Sequence, residues 1–335
     1  MGSDTILVTG GAGYIGSHLV RQLLHRGYQV RVLDNYLYGK HGLADLRGNP
    51  RLKTKFGDIC HIGDVVEAVQ GVRAVVALAA LVGDAACDLD PKVALMTNFE
   101  STRLLLGACR KSRVQRIVFA SSCSVYGANG DNWLDESSPL NPVSLYARTR
   151  IMSEEVLLED KEGPEVVILR LSTVSGLSPR MRFDLMVNTI TARATVTGRV
   201  RVVGANQWRP HIHVRDVADA FVRAVEAPPE RVDRQVFNVG GDHLNFTVGQ
   251  VAEKVVAHVP GTVVENFEQV EDRRSYRVSF RRIREALDFV PRYTVDDAIQ
   301  EVRDLLRNGK VRDFGDPVYH NVKQLQEHTR QRASA

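Results

Sequence analysis

The chain has 335 residues, of which 44% are hydrophobic and 25% charged, with a formal net charge of +4. That balance excludes a disordered or fibrous chain, and a near-neutral charge without a long basic run argues against a nucleic-acid partner. The length suffices for a large buried core, as one large domain or two coupled ones.

Met1-Gly2-Ser3-Asp4-Thr5 leads straight into an apolar run, with no basic stretch ahead of a hydrophobic one. No apolar run is long enough to cross a bilayer. The expectation is a cytoplasmic protein without a membrane partner. Ile6-Leu7-Val8, Val30 to Leu33, Ala74 to Leu78, Ile117 to Phe119 and Val166 to Leu169 are unbroken apolar runs. Such runs suit strands covered on both faces. Amphipathic segments at Tyr14 to Arg26, Pro91 to Arg110 and Tyr146 to Glu159 lie between them. This alternation predicts an α/β fold, a Rossmann-type doubly wound parallel sheet with right-handed crossovers.

The second half is less regular. It holds strand candidates at Val200 to Val203 and Val236 to Val239, and helix candidates at Val214 to Glu226, Val248 to His258 and Val295 to Leu306. The expected division is a sheet domain over 1–175, re-entered near 205–240, and a smaller, partly discontinuous C-terminal substrate lobe over 176–204 and 241–315. A polar tail, 316–335, is expected to fray at its end. Cys60, Cys87, Cys109 and Cys123 form no CxxC pair and read as free thiols, with no metal site expected.

The first run ends in Gly10-Gly11-Ala12-Gly13-Tyr14-Ile15-Gly16. Gly11, Gly13 and Gly16 satisfy GxGxxG, and Gly10, Gly13 and Gly16 have the spacing GxxGxxG. A strand, a glycine turn and a helix start let backbone amides approach a pyrophosphate that the helix dipole also favours. The second strand ends in Asp34-Asn35, 18 residues beyond Gly16. An acid there accepts hydrogen bonds from ribose hydroxyls and repels a 2′-phosphate, which points to NAD. Asp58, before Ile59, suits either an adenine contact or the capping of a helix over His61 to Gln70.

Ala120-Ser121-Ser122-Cys123-Ser124-Val125-Tyr126 follows the fourth run, and Ser144-Leu145-Tyr146-Ala147-Arg148-Thr149-Arg150 lies further on. Serines at the carboxyl end of a parallel strand face the ligand crevice, and Tyr146 and Arg150 share a helix face. With the glycine loop, these segments resemble the extended short-chain dehydrogenase/reductases of the nucleotide-sugar epimerase and dehydratase group, as far as about residue 308. The resemblance implies that Tyr146 is the acid/base, that Ser122 orients the sugar hydroxyl, and that Leu78, Ala79 and Ala80 line the cofactor. It implies that Asn98 supports the sheet near the site, and that Ser124 and Thr173 line the sugar pocket. Arg150 stands where the family has lysine. It keeps the positive charge that favours phenolate, on a larger, planar group.

The resemblance also bears on the reaction. Dehydratases of the group place Asp and Glu where this chain has Cys123 and Ser124, and decarboxylases keep a glutamate at the second place. Elimination leaves C4 epimerisation through a transient 4-keto sugar. A 4-ketoreductase or dehydratase, or a binding protein that has lost catalysis through Arg150, are the alternatives. Trp208-Arg209-Pro210-His211-Ile212-His213-Val214-Arg215-Asp216 and Asp272-Arg273-Arg274-Ser275-Tyr276 resemble the family's diphosphate-contacting segments. That implies Arg209 and Arg274 on the diphosphate of a UDP-sugar. Asn188 is expected at the substrate, Arg182 either at a sugar carboxylate or on the surface, and Asp216 as a helix cap. The family is also expected to pair as a homodimer through the helices at 91–110 and 146–159.

Overall fold

The computed structural model describes residues 4–267 and 274–333. Met1 to Ser3, Asp272 and Arg273 lie outside the described residues. In chain order the strands are β1 (Thr5–Thr9), β2 (Gln29–Asp34), β3 (Leu52–Phe56), β4 (Ala74–Ala77), β5 (Arg116–Ser122), β6 (Ala128–Leu134), β7 (Glu165–Leu171), β8 (Thr173–Ser175), β9 (Arg199–Val203), β10 (Trp208–His213), β11 (Gln235–Val239), β12 (Asn245–Thr247), β13 (Val263–Phe267) and β14 (Ser275–Val278). The helices of the first half are α1 (Gly16–His25), α2 (Ile62–Val69), α3 (Asp84–Leu89), α4 (Pro91–Leu95), α5 (Ser101–Lys111) and α6 (Leu145–Glu159). Those of the second half are α7 (Met186–Thr197), α8 (Val214–Glu226), α9 (Pro229–Val232), α10 (Val248–His258), α11 (Arg281–Leu287), α12 (Val295–Arg307) and α13 (Asn321–Ala333).

Seven strands form one parallel sheet in the order β11-β7-β5-β4-β1-β2-β3. The order reverses direction between β1 and β4, and ligands bind beyond the carboxyl ends of strands at such a switch point. The unbroken apolar runs follow from cover on both faces. Ile6 and Val8 join the cluster that holds Leu19, Leu23, Phe221 and Val225 from α1 and α8. Leu7, between them, joins Val65, Leu105 and Leu157 from α2, α5 and α6 on the other face. Alternate residues of one strand thus enter opposite layers, each large side chain contributing roughly 1.5–3 kcal/mol on burial.

The smaller lobe packs α7, α10 and α12 together through Val187, Ile190, Val251, Val255 and Ile299. The strand pairs β13–β9 and β14–β6 are both parallel. β10 pairs with β8 in parallel and with β12 antiparallel. The chain returns to the main sheet at β11, where Val236 lies opposite Ile168.

Three local expectations need correction. The segment Pro91 to Arg110 is interrupted by a π-helical turn, Met96–Glu100, between α4 and α5. Asp216 sits inside the first turn of α8, and its carboxylate accepts the backbone amides of Arg292 and Tyr293; His213 is the cap. The polar tail is helical over Asn321–Ala333, and Asn321 is buried.

Candidate active site

The glycine turn between β1 and α1 is dictated by space. Gly10 has φ +72°, and a Cβ there would lie 2.9 Å from the Ala79 amide nitrogen. A Cβ on Gly16 would overlap the Gly10 carbonyl oxygen. Only glycine permits this path, and it leaves the turn's backbone open toward the crevice. Asp34 closes β2 beside it, its carboxylate accepting the amides of Ala12 (2.9 Å) and Tyr36 (2.8 Å). Burial raises the Asp34 carboxyl, against those donors and the charge of Arg180.

From this turn a cavity of about 640 Å³ runs along the carboxyl ends of the strands. Its wall includes Gly10, Gly13, Tyr14, Ile15, Gly16, Asp34, Asn35, Asp58 and Ile59 at one end. Leu78, Ala79, Ala80, Ser122, Tyr146, Arg150, Thr173 and Arg182 line the remainder. The volume falls in the range usual for cofactor pockets. Tyr14 also donates its hydroxyl to the Gly176 carbonyl at 2.6 Å, tying the glycine turn to the second half of the chain. Asp58 accepts the Cys60 amide within its own loop, and the cap position of α2 falls to His61.

Tyr146 and Arg150 occupy the first turns of α6, which Ser144 caps by accepting the Ala147 amide. The Arg150 guanidinium carbon lies 5.5 Å from the centre of the Tyr146 ring and 5.2 Å from that of Phe119. It is held by two backbone carbonyls, Ala120 at 3.3 Å and Asn98 at 3.1 Å. The Asn98 carbonyl is available because the π-helical turn displaces it from the helical ladder; it also accepts Ser153 and Thr102. Burial raises the Tyr146 phenol, and the charge of Arg150 works against that rise. Burial also lowers Arg150. Ser122 ends β5, and its hydroxyl accepts the Ser124 amide at 3.2 Å, which leaves its proton for a substrate oxygen.

Several expected residues do not face the cavity. Asn98 is buried in the π turn, where its side chain bridges both backbone groups of Leu81. Asn188 is fully buried and binds the Gly176 amide, the Tyr14 hydroxyl and the Arg182 carbonyl. The Ser124 hydroxyl is buried without a hydrogen-bond partner among the described residues. Arg209 and Arg274 lie together outside this cavity: Arg209 donates to the Arg274 carbonyl and stacks over Tyr276, and Arg274 pairs with Asp84 at 3.2 Å. Arg182 lines the cavity while gripping Asp184 with two hydrogen bonds of 2.9 and 2.8 Å. The sequence reading missed Tyr38, Arg180, Asn321, Leu325 and His328, all of them in the wall. Arg180 stood visible in Ser178-Pro179-Arg180, but nothing local ties residue 321 to a cavity built around residue 10.

The family model "NAD dependent epimerase/dehydratase family" matches residues 6–240. The chain belongs to that family. It is 29% identical over 324 residues to a UDP-glucose 4-epimerase of Rhizobium leguminosarum bv. trifolii, covering 91% of this chain and 98% of the relative. It is 32% identical over 309 residues to a dTDP-glucose 4,6-dehydratase of Streptomyces griseus, covering 88% and 91%. Among solved structures, MoeE5 in complex with UDP-glucuronic acid and NAD superposes with a TM-score of 0.77 at 28% identity, over 91% of this chain and 99% of that one.

The cofactor is NAD, and the cavity of this family member fits it: glycines clear the pyrophosphate path at one end, and Asp34 stands where a ribose diol would be read. Gly10, Gly13 and Gly16 would hold the diphosphate, Asp34 the adenosine ribose, and Tyr146 and Arg150 the nicotinamide side. Bound there, NAD supplies a hydride acceptor beside the phenol. The enzyme therefore modifies nucleotide sugars.

Proposed function

We propose that this enzyme interconverts the C4 epimers of a nucleotide-diphosphate sugar, with a UDP-sugar as the first candidate and NAD retained through turnover. The observation that carries this reading is the sugar-facing end of the cavity. It presents Tyr146, Ser122 and Arg150, whereas among the described residues the carboxylates in the wall, Asp34, Asp58 and Asp64, all belong to the adenosine end. Dehydration needs an acid to protonate a departing hydroxyl. Cys123, at the place where a dehydratase carries a carboxylate, is fully buried with its thiol pushed far up by desolvation. A thiol in that state neither donates nor accepts a proton near neutral pH.

In this scheme the Tyr146 oxygen takes the proton of the C4 hydroxyl, which Ser122 orients, while the C4 hydrogen leaves as hydride. The same oxygen returns the proton while the hydride, which bound NAD would accept and give back, rejoins the other face of the 4-keto carbon. Arg150 keeps a fixed positive charge beside the phenol and favours its ionised form. Arg209 and Arg274 suit the sugar diphosphate, as a planar guanidinium does. Asp184 already occupies the fork of Arg182, so a neutral hexose is the better first substrate than a uronic acid. Exposed Val93 and Met96 near α5, with Val143 ahead of α6, support a homodimer paired through these helices.

The test is incubation of the purified enzyme with UDP-glucose, UDP-glucuronate and their C4 epimers, followed by proton NMR. Interconversion is expected. A 4-keto-6-deoxy product would instead assign a dehydratase, and net NADH consumption by a 4-keto sugar a reductase. A protein that holds NAD and converts none of them would be a binding protein.

A further inference from the structure

The chain does not stop at α12. Val311 is buried, and Phe314 and Tyr319 both meet Phe183 edge-on, at ring-centre distances of 5.9 and 5.4 Å. The Phe183 amide donates to the Tyr319 carbonyl at 3.0 Å. These contacts deliver the start of α13 to the cavity. The Asn321 amide donates to Asp184 at 3.1 Å, and its side-chain oxygen accepts Arg180 at 2.8 Å. One face of α13, at positions 321, 325 and 328, then forms part of the cavity wall. Leu325 packs into the cluster that contains both Leu37, just past the Asp34 strand, and Tyr146. The helix therefore reaches from the adenosine side of the cavity to the catalytic side. Its other positions as far as Gln331 are almost all polar and exposed, so burial of its own surface does little to hold it there.

Beneath the helix sits a buried cation with unused capacity. Arg180 is 1% exposed, and its guanidinium stacks on the Tyr38 ring at 4.6 Å. Its Nε and the Tyr38 hydroxyl are buried without hydrogen-bond partners among the described residues. A Cβ on Gly42 would meet both the Ala12 carbonyl and the Arg180 Cβ, which sets Arg180 beside the glycine turn. Orphaned buried donors are costly and imply an acceptor. A cavity that receives a dinucleotide brings such acceptors.

We propose that residues 311–333 are a C-terminal latch in which α13 covers the bound dinucleotide, while the Arg180 Nε and the Tyr38 hydroxyl donate to oxygens of its diphosphate and adjoining ribose. Asn321 is the catch: it holds both the guanidinium and, through Asp184, the segment that carries Arg182. Cofactor release then requires α13 to lift, which gives retention of NAD through turnover a structural cause. The latch rests on NAD as the cofactor and not on the epimerase reading, so it can be tested in a protein that converts no sugar.

The experiment follows NADH release by fluorescence after dilution, in the full-length chain and in Asn321→Leu, Leu325→Glu and Tyr38→Phe. Release is expected to quicken by about tenfold or more in the first two, and several-fold in the third. Hydrogen exchange in residues 321–333 is expected to slow on NADH saturation. Unchanged release in Asn321→Leu and Leu325→Glu, or α13 amides that exchange equally fast with and without NADH, would overturn the proposal. Tyr38→Phe keeps the ring under the guanidinium, so it remains informative if a helix variant misfolds.

Discussion

The two ends of the cavity are built in different ways. At the adenosine end the walls are backbone: a glycine turn, strand ends and an acid that accepts amides 22 residues before it and two residues after it. At the other end the walls are side chains brought from remote parts of the chain: Ser122, Tyr146, Arg150, Thr173 and Arg182. Beyond the cavity, Arg209 meets the Arg274 carbonyl 65 residues away, and Arg274 pairs with Asp84. The first end tolerates little because its tolerances are those of van der Waals contact. The second can exchange partners one residue at a time, which is how one family comes to serve several sugar chemistries.

Five substitutions would break or sharpen this contrast. The largest effect is expected from Tyr146→Phe, which removes the proton carrier and should lower kcat by roughly 10²–10⁴-fold. NAD should stay bound, as fluorescence of the reduced cofactor would show. Gly16→Ala comes next. Its Cβ meets the Gly10 carbonyl and the Gly11 backbone, so NAD affinity should fall by about 10²-fold or the fold should weaken, read together by titration and thermal melting. An equal alanine effect at Arg209 would erase the distinction between the two ends. Arg209→Met should instead raise KM for the nucleotide sugar by about tenfold and leave NAD binding unchanged.

Arg150→Met tests the departure from lysine. Burial raises the Tyr146 phenol and Arg150 opposes the rise, so loss of the guanidinium should push the phenol higher. The acid limb of the kcat/KM profile should then move to higher pH, because less phenolate is present at any given pH. A profile that stays in place would mean that Arg150 acts only by anchoring Asn98 and Ala120.

The smallest effect is expected far from the chemistry. His211 is fully buried, and both ring nitrogens lack hydrogen-bond partners among the described residues. Burial lowers its pKa to about 3. The folded value lies below the unfolded value of about 6.5, so the stability it contributes is present above that pH and is lost as pH falls toward 3. His211→Phe should raise stability by ~1 kcal/mol at neutral pH and flatten the acid side of the melting curve.

Much of the sheet was legible because its signals are local. Apolar runs, a glycine turn and an acid at the end of β2 each span a few residues, and a strand covered on both faces leaves no polar positions to blur the pattern. Ser122, Tyr146 and Arg150 were legible for a related reason: a strand end and a helical spacing of four fix which residues point the same way. The π-helical turn at Asn98 carries no local signal, since helix-forming residues continue through it and the displaced carbonyl gains its partners from α6. Charge and polarity misled at the tail, where the composition of α13 reads as solvated and its docking rests on a few contacts with Phe183, Asp184 and Arg180.

By itself the sequence determined the parallel sheet and the dinucleotide turn, and set Ser122 at a strand end and Tyr146 at a helix start, because short-range geometry and binary patterning act over a handful of neighbours. Only the tertiary structure decided that Asn188 is an internal brace, that Arg180 and Tyr38 lie beside the glycine turn with donors unmet among the described residues, and that the last helix walls the cavity. Those facts depend on which distant surfaces come together, and such pairings are set by the packing of the whole chain.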